Sequence, residues 1–306
     1  MASEFELIEL FKNIGSNYQN KNGIIVPSGD DCAVFNSNKP ILTSVDSSIE
    51  GIHFPKEIKP SQAAYRSIAV ALSDIAAMGC KPIGFSLSIS NLVSDKSWYQ
   101  DFVIGVTEIA DEYEIPLVGG DFVRGSLNIN VVVYGVPYNN KILKRNGASD
   151  GDIICISTPV GSAKKGLEEF QSGIKSSENI TNYLRPKPKF NIGESISEIA
   201  TSCIDTSDGL LVDLKHILDD SNVGAHIYLD NIPFTTDIED INAGDDYDLC
   251  FTIPENKYEG NFIKIGKVTN NKSIKLISEK GYDVSIKGFK HFQWAAFQTW
   301  KNLHIL

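Results

Sequence analysis

The chain has 306 residues, a formal net charge of −11 and a hydrophobic fraction of 42%. This length suits two domains, each with its own core, and the apolar fraction excludes a largely disordered chain. The negative charge opposes broad docking on nucleic acid or anionic lipid, because both require a basic face, so we expect neither partner. A polyanionic substrate would need cations between itself and this protein.

The first half of the chain alternates strand and helix patterns. The N-terminal sequence MASEFELIELFKN predicts a short amphipathic helix rather than a signal peptide. Apolar spacing and alternation then predict, in order, a strand over Ile41–Val45, a helix over 61–79, a strand over Phe85–Ile89, a helix over Trp98–Tyr113, and strands over Ile115–Val118 and Leu127–Val136. The predicted order of the main elements is therefore β-α-β-α-β-β.

A polar, glycine-containing stretch, KRNGASDGD at 144–152, separates this half from the next. We place the domain boundary there, with an N-terminal domain over 1–148 and a C-terminal domain over 149–306. The second half predicts a strand over Ile153–Ser157, helices near 161–172, 189–201 and 209–219, and strands near 225–229, 247–253, 262–268 and 274–278. Helices on one side of mixed sheets favour an α+β fold over a doubly wound parallel sheet.

The chain has five widely separated cysteines and no CxxC pair. This pattern indicates reduced thiols in a cytoplasmic protein, rather than a disulfide framework or a zinc site.

The acidic residues cluster in short turns beside apolar segments. These turns are SGDD at 28–31, SVD at 44–46, GGD at 119–121, DTSDG at 205–209 and GDD at 244–246. A single Asp beside Gly is most often a turn former. Asp74 differs, because it lies inside the apolar predicted helix, where a carboxylate is costly unless it meets water, a cation or a donor. Taken together, the carboxylates suit several Mg²⁺ ions that bridge the phosphates of a nucleotide.

Other residues suit phosphate binding. Arg124 and Arg145 lie in glycine-containing turns and are candidate clamps on phosphate oxygens, although surface solvation explains each about as well in isolation. Ser207 precedes a predicted helix start, where its hydroxyl and backbone N–H groups would face a phosphate. The chain has no Walker loop or Rossmann fingerprint. A calcium loop from Asp205 fails, because His216 stands where the EF-hand pattern needs Glu.

The ordered set of motifs resembles the thiamine-monophosphate kinase family, within the superfamily of aminoimidazole-ribotide-synthetase-like ATP enzymes. The matching segments cover nearly the whole chain: GDDCAVF (29–35), TSVDSSIEGIHF (43–54), LSDIAAMG (72–79), GGDFVRG (119–125), DTSDGLLVDL (205–214) and GDDYDLCFT (244–252).

The resemblance implies a fold, an assembly and a reaction. The N-terminal half would be ferredoxin-like and would form a barrel across a homodimer, and the C-terminal half would be α+β with a mixed sheet. The activity would be Mg²⁺-dependent phosphorylation of thiamine monophosphate by ATP, giving thiamine diphosphate through direct in-line transfer. No general base is implied, because the acceptor is already a phosphate oxyanion.

The resemblance also assigns residues by position. The implied metal ligands are Asp30, Ser44, Val45 (through its backbone), Asp46, Asp74, Asp121, Asp205 and Asp208. The implied ATP contacts are Gly120, Asp121, Arg145 and Ser207, and the implied substrate contacts are His53, Asp245 and Phe289. Three residues depart from the family pattern: Val45 replaces a hydroxyl residue, Asp245 replaces Glu, and Lys290 replaces a common acid.

Two alternatives stay open. The first is another ATP-using enzyme of the same superfamily with a different acceptor. The second is a non-catalytic protein that binds nucleotide or metal. A kinase should bind ATP only with Mg²⁺, whereas a calcium-loaded scaffold should bind metal without nucleotide.

Overall fold

The computed structural model describes residues 4–289, so Lys290 lies outside the described residues. The first half contains α1 Glu4–Phe11, β1 Ile24–Val26, β2 Val34–Phe35, β3 Leu42–Ile49, α2 Pro60–Ala77, β4 Cys80–Ser90, α3 Lys96–Glu112, β5 Leu117–Val123 and β6 Asn128–Pro137. The order from β3 to β6 confirms the predicted β-α-β-α-β-β pattern. The short strands β1 and β2, which form a separate antiparallel pair, were not predicted.

The second half contains β7 Ile153–Ile156, α4 Ser162–Gln171, α5 Glu178–Leu184, α6 Phe190–Ile196, β8 Ser202–Asp205, α7 Leu210–Ser221, β9 Gly224–Tyr228, β10 Leu249–Ile253, β11 Ile263–Thr269 and β12 Ile274–Ile277. Short 3₁₀ turns lie at Ser16–Tyr18, Asn20–Asn22, Leu229–Asn231, Ile238–Asn242 and Glu255–Lys257. Helix α5 and strand β8 are the two elements of this half that the sequence patterns missed.

Both large sheets are mixed, which confirms the α+β class. The first has four strands in the order β3-β6-β4-β5, with a parallel β4–β5 pair and otherwise antiparallel neighbours. The second has six strands in the order β12-β9-β11-β7-β10-β8, in which only the β12–β9 pair is parallel.

The two faces of the four-stranded sheet have different environments. One face buries Phe85, Leu87, Val131 and similar residues against α2, and α3 packs on α2 and contributes to the same core. The opposite face holds mostly small or polar residues, together with Val45 and Val123, whose exposed fractions are 62% and 52%. The described helices thus cover one side of this sheet.

Helix α2 is the central element of the molecule. It begins with Pro60 at its first turn, where a missing N–H costs nothing, and the Gln62 side chain accepts the Lys59 N–H. The helix ends before Gly79, which adopts the left-handed conformation (φ 65°). It packs on the four-stranded sheet and also on β8, α5 and α6.

The first hydrophobic core therefore includes residues from both halves, among them Tyr183 and Phe190. The boundary at 148/149 stays a prediction. All five cysteines are free, and four of them are buried, with Cys32 exposed. No helix among residues 4–289 has the length and hydropathy to cross a lipid bilayer.

Candidate active site beside helix α2

A cavity of about 730 Å³ lies beside α2. Its walls come from β3, α2, α4, the end of β8, the turn before α7 and the loop before β10. It brings together eight of the residues singled out from the sequence: Asp46, His53, Asp74, Asp205, Ser207, Asp208, Asp245 and Phe289. These residues are up to 243 positions apart in the chain (from Asp46 to Phe289), so only the fold unites them.

Asp46, Asp74 and Asp205 form an acidic wall. Burial, followed by repulsion from Asp74, raises the pKa of Asp46 to about 6. Burial is also the main cause that raises the pKa of Asp205, and repulsion from Asp74 adds to it. Burial likewise raises the pKa of Asp74, although the Ser44 hydroxyl and the charge of Arg145 oppose that rise. One buried carboxylate (Asp205) and two half-buried ones (Asp46 and Asp74) that repel one another are chemically suited to a cation.

The local structure explains how these carboxylates meet. Side chains alternate along β3, so Ser44 and Asp46 face α2 while Val45 points to the opposite face. The Ser44 hydroxyl donates a hydrogen bond to the Asp74 carboxylate, which gives that helical acid a donor. Asp205 is the last residue of β8, and β8 packs on α2.

The described residues do not contain a complete metal site, since no three His, Cys, Asp or Glu side chains are arranged to hold an ion unaided. Mg²⁺ commonly takes one or two carboxylates and completes its shell with water and substrate phosphates. The donor set around Asp74 fits that pattern of binding.

The turn before α7 holds a further acid that sequence reasoning missed. Asp213 is 2% exposed, and its Oδ2 accepts the backbone N–H groups of Asp208 and Gly209, each at 3.1 Å. Burial raises its pKa to about 7. These two N–H groups are therefore already bonded within the turn, and the expectation that Ser207 and nearby N–H groups face a phosphate stays a prediction. Asp213 lies within the DTSDGLLVDL motif, but no glycine-containing turn adjoins it, so the sequence did not single it out as a functional acid.

The loop before β10 is held against this turn. The N–H of Asp245 donates to the Ser207 carbonyl at 2.8 Å, and the N–H of Tyr247 donates to Thr206 at 2.9 Å. A Cβ at Gly244 would lie 2.3 Å from the Ser207 carbonyl oxygen, so only glycine permits this approach. Asp246 accepts the N–H groups of Gly161 and Ala163, at 2.7 and 3.1 Å, which ties the loop to the start of α4.

Arg66 of α2 also lines the cavity, and sequence reasoning missed it as well. Its guanidinium pairs with the carboxylate of Asp245, donates to the Tyr183 carbonyl, and lies 4.2 Å from the centre of the Tyr183 ring. Burial alone would lower the pKa of Arg66, but the charge of Asp245 raises it. Arg66, like Asp74, is a charged residue inside the apolar helix predicted over 61–79, and this conflict could have identified it from the sequence.

His53 and Phe289 contribute a ring each to the cavity. His53 Nδ1 accepts the Ile49 N–H at 3.0 Å, so a neutral ring carries its proton on Nε2. The N–H of Phe289 donates to the Asp208 carbonyl at 3.1 Å, which holds this aromatic residue at the cavity, where it is 41% exposed.

The remaining predicted site residues lie elsewhere. Ser44 contacts the wall through Asp74, but Asp30, Val45, Gly120, Asp121 and Arg145 are not among the described residues that line the cavity. Asp30 and Arg145 are exposed, although the charge of Arg145 reaches Asp74. Asp121 is exposed on the sheet face opposite to Asp46, in register with Ser88 of β4.

The chain is similar in sequence and in fold to known proteins. The family model for the AIR synthase related protein, N-terminal domain, matches residues 29–136. The chain is 36% identical to the thiamine-monophosphate kinase of Buchnera aphidicola subsp. Schizaphis graminum, over 95% of this chain and 99% of that protein.

Two solved structures are also similar. One is a thiamine-monophosphate kinase from Stenotrophomonas maltophilia K279a, with a TM-score of 0.80, 29% identity, and coverage of 90% of this chain and 96% of that chain. The other is AaThiL complexed with AMPPCP and TMP, with a TM-score of 0.77, 28% identity, and coverage of 94% and 97%.

Proposed function

Because the chain belongs to the thiamine-monophosphate kinase family, we propose that it transfers the γ-phosphoryl group of ATP to thiamine monophosphate. The products are thiamine diphosphate and ADP. The observation that supports this most strongly is one cavity that joins an acidic wall to His53, Asp245 and Phe289. The bound AMPPCP and TMP in the similar AaThiL structure support the same pair of substrates.

In this proposal the acidic wall holds the metal. Asp46, Asp74, Asp205 and Asp208 would bind Mg²⁺, which when bound neutralises charge on the phosphates. Ser44 orients the Asp74 carboxylate through its hydroxyl, and Asp213 fixes the backbone beside Asp208. The two basic residues that line the same cavity are paired elsewhere, Arg66 with Asp245 and Lys164 with Asp240, which leaves the positive charge at the acidic wall to a cation.

The chemical step needs no general base. An oxygen of the acceptor phosphate, already ionised, forms a new bond to the γ-phosphorus. The bond from that phosphorus to the β–γ bridging oxygen breaks, and its electron pair leaves with ADP. The contribution of the protein is to place the two substrates in line and to hold charge-neutralising groups around them.

The other side of the cavity would bind the thiamine part of the acceptor. The aromatic ring of Phe289 offers a surface for stacking, and the 32% exposed carboxylate of Asp245 offers an acceptor for a ring amine. His53 would contact the substrate from the end of β3. Asp245 is one methylene shorter than the Glu of the family pattern, and its pairing with Arg66 fixes its direction.

We further propose that two chains pair through the uncovered face of the four-stranded sheet, forming the barrel implied by the resemblance. Val45 and Val123 on that face, with Ile25 of β1, are large apolar residues in contact with solvent. Asp121 lies on the same face, so pairing would bring it, and with it Gly120, near the partner chain. Asp30 and Arg145 remain proposed ligands of metal and ATP.

Three further features complete the proposal. Several Mg²⁺ ions act with ATP as co-substrate, the protein works in the cytoplasm, and the chain divides at 148/149. The five free thiols support a reducing compartment.

A panel of acceptors tests the function and its alternatives. Purified protein is incubated with ATP, Mg²⁺ and, separately, thiamine monophosphate, free thiamine or a ribotide amide, and products are followed by ³¹P NMR. We expect a new diphosphate only from thiamine monophosphate, because free thiamine lacks the metal-bound phosphate. Turnover of another acceptor alone would favour a different superfamily activity. Mg²⁺-dependent ATP binding without any turnover would favour the non-catalytic alternative.

A further inference from the structure

The Arg66 side chain makes three polar or aromatic contacts in the cavity wall, with Asp245 and Tyr183. Its side chain is 4% exposed, its Nη2 donates to Asp245 Oδ2, its Nη1 donates to the Tyr183 carbonyl, and its guanidinium stacks on the Tyr183 ring. A buried arginine with this many contacts has essentially one orientation. The fork geometry of the guanidinium permits all of these contacts at once, which a lysine ammonium does not.

Asp245 depends on this arginine for its direction. Its backbone is left-handed (φ 77°), an uncommon state for a residue other than glycine, and its N–H bonds Ser207 at 2.8 Å. The carboxylate is 32% exposed and lines the cavity, with Oδ2 committed to Arg66. The pairing therefore selects Oδ1 as the oxygen available to a ligand.

We infer that Arg66 is a positioning residue for the acceptor substrate, acting through Asp245. The inference rests on the proposed function, because it takes Asp245 as a contact of thiamine monophosphate. Arg66 fixes the carboxylate so that Oδ1 accepts a hydrogen bond from the ring portion of the substrate, and it neutralises the charge that this carboxylate would otherwise place beside an acidic cavity. Arg66 itself does not touch the reacting phosphates.

The test combines kinetics with binding. Steady-state rates are measured for wild type, Arg66→Met, Arg66→Lys, Asp245→Asn and the double variant Arg66→Met/Asp245→Asn, with each substrate varied in turn. Equilibrium binding of thiamine monophosphate is measured by calorimetry, which does not depend on turnover. Arg185→Met is the matched control, because Arg185 also stacks on a tyrosine (Tyr65, 4.3 Å) and pairs with an acid (Glu108, 2.6 Å) but is not among the described residues lining the cavity.

We expect Arg66→Met to raise the KM and Kd for thiamine monophosphate about tenfold or more, the usual scale for losing a charge-assisted hydrogen bond. The KM for ATP and kcat should change less than about threefold. Arg66→Lys should recover part of the affinity and also serves if the methionine variant does not fold. In the double variant the two effects should not multiply, because Arg66 acts only through Asp245.

Several results would overturn the inference. Multiplying effects in the double variant would mean that Arg66 acts independently of Asp245. A fall in kcat at unchanged KM would place it in the chemical step. Wild-type binding of thiamine monophosphate that Arg66→Met leaves unchanged would refute the positioning role while the proposed function stands. A wild type that neither binds nor phosphorylates thiamine monophosphate would refute both.

Discussion

Replacing Asp74 by Asn should change activity and stability in opposite directions. The Asn side chain keeps an oxygen that accepts the Ser44 hydroxyl, so the shape of the site is preserved while one charge is removed. Removal of one group that acts on the transferring phosphoryl should lower kcat by about 10²- to 10³-fold. The metal-free protein should become more stable, because Asp74 repels Asp46 and Asp205.

The size of the stability change follows from Asp46. Its pKa rises from the ordinary 3.8 to about 6, and each pH unit of such a rise corresponds to about 1.4 kcal/mol. Ionised Asp46 therefore costs the folded protein about 3 kcal/mol at neutral pH, of which burial is the larger part and repulsion from Asp74 the smaller. Removing the charge of Asp74 should therefore return less than half of that cost, on the order of 1 kcal/mol.

The sign of the pH dependence is fixed by the raised pKa. Folded Asp46 keeps its proton at a pH where the unfolded chain has lost it, so its contribution favours the folded state below pH 4 and is lost as pH rises through about 6. Urea titrations in chelator between pH 4 and 8 should show this loss for wild type and a shallower one for Asp74→Asn. Asp220→Asn, an exposed change on α7, is the control. An active Asp74→Asn protein, or one that is clearly destabilised, would refute the acidic wall as a cation site.

Three further outcomes are expected. Val45→Asp combined with Val123→Asp should yield monomers by light scattering, since charges on the uncovered sheet face oppose pairing; dimers at the wild-type affinity would contradict the proposed interface. Gly244→Ala should abolish activity and lower the melting temperature, because its Cβ would lie 2.3 Å from the Ser207 carbonyl oxygen; a wild-type melting temperature would contradict the close approach. Asp213→Ala should cost about 2 kcal/mol or more in urea, because two backbone N–H groups lose their acceptor, whereas Asp213→Asn should cost less; equal losses would contradict the hydrogen-bonding role.

The fold was largely predictable because its main elements have strong periodicity. Helix α2 showed long helical spacing and β6 showed strict alternation, and both were found within a few residues of their observed ends. Strand β8 was missed because Ser202–Asp205 is only four residues long and begins and ends with a polar residue, so it lacks the continuous apolar run that revealed the equally short β7. Helix α5 was missed because its seven residues precede Arg185-Pro186 and resemble a loop.

The candidate site was predictable where a residue type conflicted with its surroundings. Asp74 stood out as an acid in an apolar helix, and the same criterion applied to Arg66 would have found it. The pairing of Arg66 with Asp245 was not predictable, because 179 residues separate them and no local pattern connects them. The sequence also could not show that Asp46 and Asp121 lie on opposite faces of one sheet, since that depends on strand register.

The most direct test of the proposed function follows the γ-phosphoryl group itself. The protein is incubated with Mg²⁺, thiamine monophosphate and ATP whose γ-phosphoryl oxygens are ¹⁸O-labelled, and the product is analysed by mass spectrometry. Direct transfer predicts thiamine diphosphate with the labelled oxygens in its terminal phosphoryl group. Label found only in inorganic phosphate, with no thiamine diphosphate formed, would contradict it.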